Sequence, residues 1–490
     1  MNTYKDEAKL LPYELNYDRP QIPELSPQPI EESLWHTVTS SFLVLQKCMP
    51  IILFYLLSQV ISKTYLPESR GKFLMEMIVI IIPTVIFADP INQYHMHLVN
   101  FFLITFVCIS LIRIYKCDAH QRVYVIGANR PFIITLVRAT INILATIYIL
   151  FGENVKVTQN SYAISESYGI CLKDMGIGLY VFSMGIVQRK SRRYERLKRN
   201  TCILLTLGLI RFICTQFFNI DQDIHEYGSH WNGFITMALT NIGGTYIYES
   251  LRSPKDRLFG GVAFMIFHQV MLHFMTEAII LNEDKPRDTL PDANREGIYS
   301  YSGFLALYLL STFIGDCLRP RPKNVILFYN EALRMFKELA VLVLSLWGMV
   351  IVCHYTTSFS RVLCNTGYVV FVLAIATTMT FLAMLVFHVI LNTLWFTTEF
   401  KKYGRIYMGR IIKNADLPYY RDFFPSIVGI MSRNGWVAIA MSYTYAHFWS
   451  LLRPHEVKHF EETLFVIGCT ISVILVNYAL QLAARRCNLS

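Results

Sequence analysis

The fold is decided by stretches such as Leu339-Ala-Val-Leu-Val-Leu-Ser-Leu-Trp-Gly-Met-Val-Ile-Val352, which carries no charged residue. A second such run, Met77–Ala88, and others like it recur along the 490 residues. The chain is 53% hydrophobic and 16% charged, whereas a soluble domain carries about 25% charged residues. A helix needs roughly 20 mostly apolar residues to cross the bilayer core, and lipid offers no partners to unpaired backbone amides. The sequence therefore predicts an all-α polytopic membrane protein.

We predict about thirteen transmembrane helices in a single membrane domain over 39–482, between a polar N-terminal tail, 1–38, and a C-terminal tail, 483–490. No internal repeat and no proline-rich or glycine-rich linker divides that domain. The predicted spans are 39–62, 73–90, 95–115, 132–152, 168–188, 200–219, 231–250, 258–281, 298–317, 335–356, 365–396, 434–452 and 461–482.

The distribution of basic residues predicts the orientation. Loops after odd-numbered spans, with the C-terminal tail and with Arg113 and Lys337 at the cytosolic ends of their spans, hold 30 Lys and Arg residues, and the N-terminal tail with the other loops holds 10. Basic loops remain in the cytosol, so we predict a non-cytosolic N-terminus and a cytosolic C-terminus. The net charge of +10 does not indicate nucleic-acid binding, because the basic residues lie between spans instead of forming one compact face.

Ionisable residues within or beside the predicted spans are the first candidates for function, because charge is costly in a bilayer. A structural ion pair is an equally good explanation for any one of them. The set is Asp89, Arg138, Lys173, Asp174, Arg211, Glu277, Asp316 and Arg433. Polar clusters gather on the non-cytosolic side, at 152–156, 221–232 and 292–297.

Signature motifs narrow the function only a little. His230 follows Glu226 at i+4, within reach on a helix, while Cys and His residues show no metal-ligand spacing. Phosphate-binding glycine loops and zinc-protease motifs are absent from the sequence. From the residues alone, an enzyme and a transporter with a polar non-cytosolic site both remain open.

A family resemblance goes further. The run Ser167–Val187 resembles the S-L-M-D-x-G-V-G-x-F-V-F-S-x-G-I-V span of the PIG-W family, the inositol acyltransferases of glycosylphosphatidylinositol (GPI) anchor synthesis. The resemblance continues, in order, through Leu207–Arg211, Glu226–Thr236 and Asn294–Ile298. It implies a multi-pass enzyme of the endoplasmic reticulum membrane that moves a fatty acyl group, typically palmitoyl. The donor would be acyl-CoA, a co-substrate, and the acceptor an inositol hydroxyl of glucosaminyl-phosphatidylinositol. Membrane lipids are the other expected partners, and no bound cofactor is implied.

The resemblance also assigns candidate site residues. The family's essential Asp falls on Glu153, fifteen residues after Arg138, and we expect Glu153 to be the general base. The family's essential Lys falls on Ala163 or Ile164, and the nearest lysine is Lys156. We predict catalytic roles for Glu153, with Arg138 and Lys156 as its electrostatic partners, and for His230. Predicted headgroup-binding residues are Asp174 (for which a structural role is as good an explanation), Glu226, Trp231, Asn294, Arg295, Glu296 and Asn434.

Departures from the family pattern leave alternatives open. The twelfth span begins as expected at Asn434-Gly435, but the family's Asn, Thr, Gly and Asn are replaced further along. The replacing residues are Tyr443, Ala446, His447 and Ser450. Together with the missing lysine, they favour as a second hypothesis a catalytically impaired lipid-binding or scaffold protein. A transporter is the third.

Overall fold

The structure is a computed structural model. It describes residues 33–65, 71–89, 93–115, 123–125, 131–154, 168–189, 194–217, 224–282, 285–319, 326–386, 426–452 and 459–486. Within these residues, nine helices are long and apolar enough to cross a membrane by length and composition. The predicted all-α polytopic fold is confirmed. Much of the C-terminal half of the eleventh predicted span, 365–396, and the loop after it lie outside the described residues.

The N-terminal half consists of helices, one short strand and one π-helical stretch, Met77–Ile81. The elements are α1 (Leu34–Cys48), α2 (Pro50–Tyr65), α3 (Gly71–Glu76), α4 (Ile82–Ala88), α5 (Gln93–Tyr115), β1 (Val123–Val125), α6 (Phe132–Asn154), α7 (Met175–Val187), α8 (Tyr194–Phe217), α9 (Ile224–Tyr227) and α10 (Gly233–Ser250).

The C-terminal half continues in the same way, with a second π-helical stretch at Leu272–Thr276. Its elements are α11 (Pro254–Met271), α12 (Glu277–Leu281), α13 (Leu290–Ala293), α14 (Arg295–Tyr299), α15 (Tyr301–Cys317), β2 (Ile326–Phe328), α16 (Tyr329–Thr356), α17 (Thr366–Met384), α18 (Ser426–Met431), α19 (Gly435–Leu452) and α20 (His459–Arg486).

Helical structure falls within every one of the predicted spans, and the differences lie at the ends. α1 begins at Leu34 and α20 continues to Arg486, so helix extends into both segments predicted as tails. The larger difference is in the fifth span, predicted over 168–188, where α7 begins only at Met175. The residues before it form turns, and Gly169 N–H donates to the carbonyl of Phe359 at 2.9 Å. Irregular backbone at such a depth is tolerated when it is packed within protein.

The prediction of helices alone missed one small feature. β1 and β2 pair antiparallel, with Val123 opposite Phe328 and Val125 opposite Ile326. By the predicted orientation this ribbon joins two cytosolic connections.

α7 lies at the centre of the molecule and contacts α6, α10, α15 and α17. Small residues allow these helices to approach closely: a Cβ on Gly185 would lie 2.7 Å from the carbonyl oxygen of Tyr308 on α15. α16 lies at the periphery and exposes Val341 and Leu344. Apolar side chains that face outward fit a lipid-facing surface, since lipid tails are as apolar as leucine.

The predicted orientation can be tested by glycosylation. Tyr162→Thr completes an acceptor site at Asn160 in the connection after α6, and we expect this site to be glycosylated, giving a gel shift that endoglycosidase H removes. The natural acceptor sequence at Asn488 should remain unmodified, because it lies in the predicted cytosolic tail. Both asparagines are outside the described residues. Glycosylation of Asn488 in the natural protein would show that the predicted orientation is wrong.

Candidate active site

A cleft of about 940 Å³, a volume that includes the open space at its mouth, lies among α6, α7, α10 and α19, and Glu226 and Tyr227 of the short helix α9 belong to its wall. Most of its wall is apolar, and polar side chains gather at the end nearest α9. The apolar wall includes Ile141, Leu144, Ile149, Ile177, Met237 and Ile439. The polar end includes Lys173, Arg211, Glu226, Tyr227, Arg361 and Tyr443. Such a cleft combines room for a hydrocarbon chain with groups that bind a charged headgroup.

A buried ion pair closes the polar end. Arg361 Nε lies 2.9 Å from Asp174 Oδ1, and the two side chains are only 3% and 4% exposed. The same guanidinium donates through Nη1 to the backbone carbonyl of Glu226 at 3.2 Å and lies over the ring of Tyr227. Tyr368 donates from its hydroxyl to the carbonyl of Asp174 at 2.7 Å. Arg361 thus joins the start of α7, the end of α9 and the loop before α17.

Electrostatics keep Arg361 charged. Burial acts to lower the pKa of its guanidinium, but Tyr227, Glu226 and Asp174 nearby outweigh burial and raise that pKa overall. Burial, with the charge of Glu226 second, raises the pKa of Tyr227, so its phenol stays neutral. The polar end therefore presents a permanent cation beside a neutral hydroxyl.

The loop 357–365 that carries Arg361 is held on several sides. Asn365 caps α17, and its Oδ1 accepts from Tyr368 N at 3.0 Å and from Ser360 N at 3.1 Å. His268 on α11 forms a hydrogen bond through Nε2 to the carbonyl of Leu363 at 2.9 Å. Within this loop, Ser358 and Cys364 have φ angles of 52° and 48°, a left-handed conformation that non-glycine residues adopt rarely.

Lys173 lies between the cleft and the end of α6. It lines the cleft, and a Cβ added to Gly152 would lie 3.6 Å from its Cδ. The aliphatic part of the Lys173 side chain therefore runs beside Gly152, the residue that precedes Glu153. In the family pattern of the fifth span, this position is the methionine of S-L-M-D.

Arg211 and Tyr443 form another part of the cleft wall. The guanidinium carbon of Arg211 lies 4.4 Å from the centre of the Tyr443 ring, a distance typical of a cation–π contact. Tyr443 is one of the departures from the family pattern in the twelfth span. This replacement therefore lies in the cleft wall, where the Tyr443 ring contacts the guanidinium of Arg211.

The two most specific sequence motifs pack against each other beside the cleft. Asn294 Oδ1 accepts from the backbone N–H of His230 at 2.8 Å and of Trp231 at 2.9 Å. Gly228 adopts a φ of +105°, and a Cβ there would lie 2.6 Å from Asn294 Cα. The Trp231 ring covers Gly297, where a Cβ would lie 2.5 Å from it. These contacts fix the turn that leads from α9 into α10.

Arg295 and Glu296 belong to a buried network under that turn. Glu296 accepts two hydrogen bonds from Arg287, at 2.6 and 3.2 Å, and Arg295 Nε lies 3.5 Å from Glu296 Oε1. Arg295 also donates to the carbonyls of Asn282 and Lys285. None of these side chains is among the residues that line the cleft.

The structure brings only part of the predicted site together. Glu226 lines the cleft, and Asp174 reaches it through Arg361. His230 is exposed, with its ring 5.4 Å from that of Phe212. Trp231, Asn294, Arg295 and Glu296 lie beside the cleft, and their predicted contact with a headgroup stays a prediction. Asn434 precedes α19, next to Gly435, whose carbonyl accepts from Tyr180 at 2.6 Å.

The predicted pairing of Arg138 with Glu153 is wrong. Both residues belong to the single helix α6. A helix rises 1.5 Å per residue, so fifteen residues separate their Cα atoms by roughly 22 Å. Glu153 lies in the last turn of α6, next to Gly152, which borders Lys173. Lys156 lies outside the described residues.

Sequence reasoning missed Arg361 because it lies between two predicted spans and counted as a loop residue. A signal was available, since the connection between the tenth and eleventh spans, 357–364, contains one charged residue and is otherwise apolar or weakly polar. No group of three or more His, Cys, Asp or Glu residues that could hold a metal ion occurs in the part of the chain that the structure describes.

Comparison with known proteins identifies the family. The GWT1 family model matches residues 33–438, which is most of the chain. The chain belongs to the GWT1 family. This match ends just inside α19, so the departures at Tyr443, Ala446, His447 and Ser450 lie beyond the part of the chain that the GWT1 model covers.

Members of the GWT1 family from fungi and an amoeba are similar to this chain. "GPI-anchored wall transfer protein 1" of Kluyveromyces lactis is 30% identical over 208 residues, 40% of this chain and 46% of the relative. The Schizosaccharomyces pombe protein of the same name is 29% identical over 236 residues, 46% and 50% of the two chains. "Phosphatidylinositol-glycan biosynthesis class W protein" of Dictyostelium discoideum is 25% identical over 358 residues, 62% and 71%. The aligned chain spans about half the length of the two fungal relatives.

Proposed function

We propose that this protein is an acyltransferase of GPI-anchor biosynthesis in the endoplasmic reticulum membrane. It would move a fatty acyl group, palmitoyl in the first instance, from acyl-CoA to an inositol hydroxyl of glucosaminyl-phosphatidylinositol. Membership of the GWT1 family supports this reaction, as do the names of the relatives, which refer to GPI anchoring and to phosphatidylinositol-glycan biosynthesis.

The observation that carries the proposal is the composition of the cleft. Its apolar wall is formed by helices at the centre of the bundle, and its polar end holds Lys173, Arg211 and Arg361 with the single acid Glu226 among the described lining residues. Both proposed substrates combine hydrocarbon with phosphate. A cleft that is apolar along its length and cationic at one end fits molecules of that kind.

The chemistry requires a base for the hydroxyl and charge stabilisation for the oxyanion. The inositol oxygen attacks the thioester carbonyl while its proton passes to Glu153. The tetrahedral intermediate then collapses, the carbon–sulfur bond breaks, and the CoA thiolate leaves and takes the proton back from Glu153. The family spacing assigns Glu153 as base, and its place in the last turn of α6, beyond the wall residue Ile149, agrees with that role.

We further propose that Lys173 provides the positive charge beside Glu153 that the family obtains from its lysine. Its stem runs along Gly152, and it lines the cleft. This chain has a lysine where the family pattern has methionine, and it lacks one where the pattern has lysine. The two differences compensate for each other if the charge has moved from the connection after α6 to the start of α7.

The test is turnover by the purified full-length protein in detergent, supplied with palmitoyl-CoA and glucosaminyl-phosphatidylinositol. We expect an acylated inositol lipid and one CoA released per acyl group transferred. Lipid without an inositol hydroxyl at the acceptor position should yield neither product. Absence of transfer by protein that elutes as a single folded species would reject the enzyme.

A second candidate function is supported by the same departures. A protein that binds the inositol lipid without acylating it would keep the cleft and need no lysine at 163 or 164, where this chain has Ala163 and Ile164. It would bind the lipid substrate in the absence of acyl-CoA and give no product when acyl-CoA is added. Lys173 makes the enzyme the better-supported choice.

A further inference from the structure

One nitrogen of the Arg361 guanidinium has no hydrogen-bond partner among the residues that the structure describes. Nε donates to Asp174 and Nη1 donates to the carbonyl of Glu226, while Nη2 is buried and donates to no residue that the structure describes. A guanidinium presents five N–H donors in a rigid plane. Leaving a buried charged donor unsatisfied is unfavourable, because the group loses its hydration without gaining a partner. Arg361 belongs to the cleft wall, so the side chain that carries this unsatisfied donor borders the space that a substrate would occupy.

The surroundings favour an anion at that donor. Arg361 shares the polar end with Lys173 and Arg211, against one acid, Glu226, among the described lining residues. Asp174 is not among the lining residues; it bonds Nε of Arg361, neutralises part of the guanidinium charge and restrains its orientation. Planar guanidinium groups bind phosphate oxygens with defined geometry, which a lysine does not provide.

The loop is built to hold Arg361 in place before any ligand binds. Left-handed backbone at non-glycine residues such as Ser358 and Cys364 is strained and persists where the surroundings enforce it. Here Asn365 and His268 enforce it through hydrogen bonds to the loop backbone. A donor fixed in advance loses little conformational entropy on binding.

We propose that Arg361 binds a phosphate-ester oxygen of a substrate through Nη2, with Asp174 as the positioning residue that holds the guanidinium. The identity of the substrates rests on the proposed function. Two of them carry this chemistry, namely the phosphodiester of the inositol lipid and the phosphates of CoA. In this arrangement Asp174 does not touch the headgroup but acts one hydrogen bond away from it.

The experiment measures binding without turnover. Dioctanoyl-phosphatidylinositol and CoA are titrated separately into the purified full-length protein in detergent, for the natural chain and for Arg361→Gln/Asp174→Asn. The double substitution removes both charges at once, so neither partner is left as an unpaired buried ion. A hydrogen bond to a charged group contributes about 1.5–3 kcal/mol, so we expect affinity for one ligand to fall roughly 10- to 100-fold.

The ligand whose affinity falls identifies the source of the phosphate. A loss of affinity for phosphatidylinositol assigns Arg361 to the acceptor lipid, and a loss of affinity for CoA assigns it to the acyl donor. Unchanged affinity for both ligands would overturn the inference. If the double variant does not fold, Arg361→Lys keeps the charge beside Asp174 and removes the second arm of the guanidinium. It should weaken binding of the same ligand about 10-fold, and no change would again overturn the inference.

A matched control lies at the opposite end of α7. Arg257 and Asp316 form another buried ion pair, extended by Arg319, which donates to the carbonyl of Ile186 at 3.0 Å. Arg257→Gln/Asp316→Asn should lower thermal stability and leave both affinities unchanged. The two proposals remain separable: protein that binds in an Arg361-dependent way but transfers nothing rejects only the enzyme. Protein that transfers acyl groups with unchanged affinities in the Arg361 variants rejects only the phosphate site.

Discussion

Glu153→Gln is expected to lower acyl transfer by at least about 100-fold, within the 10²- to 10⁴-fold that general acid–base catalysis contributes. Glutamine keeps the size and hydrogen bonding of the side chain and removes the basic oxygen. The expected loss is in kcat, with the affinity for phosphatidylinositol unchanged. Turnover is measured with the purified protein, and in cells by rescue of a yeast strain that lacks its own inositol acyltransferase.

Two further variants delimit that result. Glu153→Asp restores the carboxylate of the family and should retain activity, although a base displaced by about 1 Å can cost on the order of 10²-fold. Asp292→Asn is the matched control, since Asp292 is a carboxylate of the same predicted face that pairs with Lys285 at 2.8 Å, away from the cleft. It should change the rate less than twofold. Rescue by the Gln variant equal to that of the natural chain would exclude Glu153 as the base.

Lys173→Met is expected to lower kcat roughly 10- to 100-fold, the effect of losing one charge-assisted hydrogen bond of about 1.5–3 kcal/mol in the transition state. Methionine is the residue of the family pattern at this position, is similar in length and is suited to an apolar wall. The fold should therefore tolerate it. The measurements are kcat, KM for each substrate, and thermal stability in detergent.

A second variant tests the same idea more directly by placing a lysine at the family position, 163 or 164. If the charge has moved between the two positions, Lys173→Met combined with Ala163→Lys or Ile164→Lys should recover activity that Lys173→Met alone loses. Gly176 provides the matched control, because it also lines the cleft and a Cβ there would meet nothing within 4 Å. Gly176→Ala should leave kcat nearly unchanged. A Lys173→Met variant with full activity would remove Lys173 from the mechanism.

Most of the helices could be predicted because length and apolar composition suffice for a membrane span. The site could be predicted only where a residue's role is local. Glu226 sits within a recognisable motif and does line the cleft. Asn294 and Glu296 sit in an equally recognisable motif, yet their contacts are with the turn at His230 and with Arg287. A specific motif shows that its residue types are required at those positions. A structural turn can impose that requirement as strongly as a ligand does.

Long-range pairs were beyond reach for a different reason. Arg361 is 187 residues from Asp174. Hydropathy predicts only where each residue lies relative to the membrane spans, and it does not predict which residue each one contacts. Nothing in a single sequence states which charge meets which across that distance. By contrast, the pairing of Arg138 with Glu153 could have been rejected beforehand, since the helical rise alone separates them.

The same distance along the chain has a consequence for biosynthesis. Asp174 enters the membrane with the fifth span, and Arg361 follows only after five further helical spans have been made. Until then the carboxyl group lacks the guanidinium that it bonds in the finished fold, and removing one partner of a buried ion pair is strongly destabilising. The start of α7 therefore cannot reach its final packing during early insertion. The packing around the start of α7 is completed only after the loop before α17 has been made. A chain that ends before residue 361 would contain every earlier span and still lack the ion pair of Asp174 with Arg361.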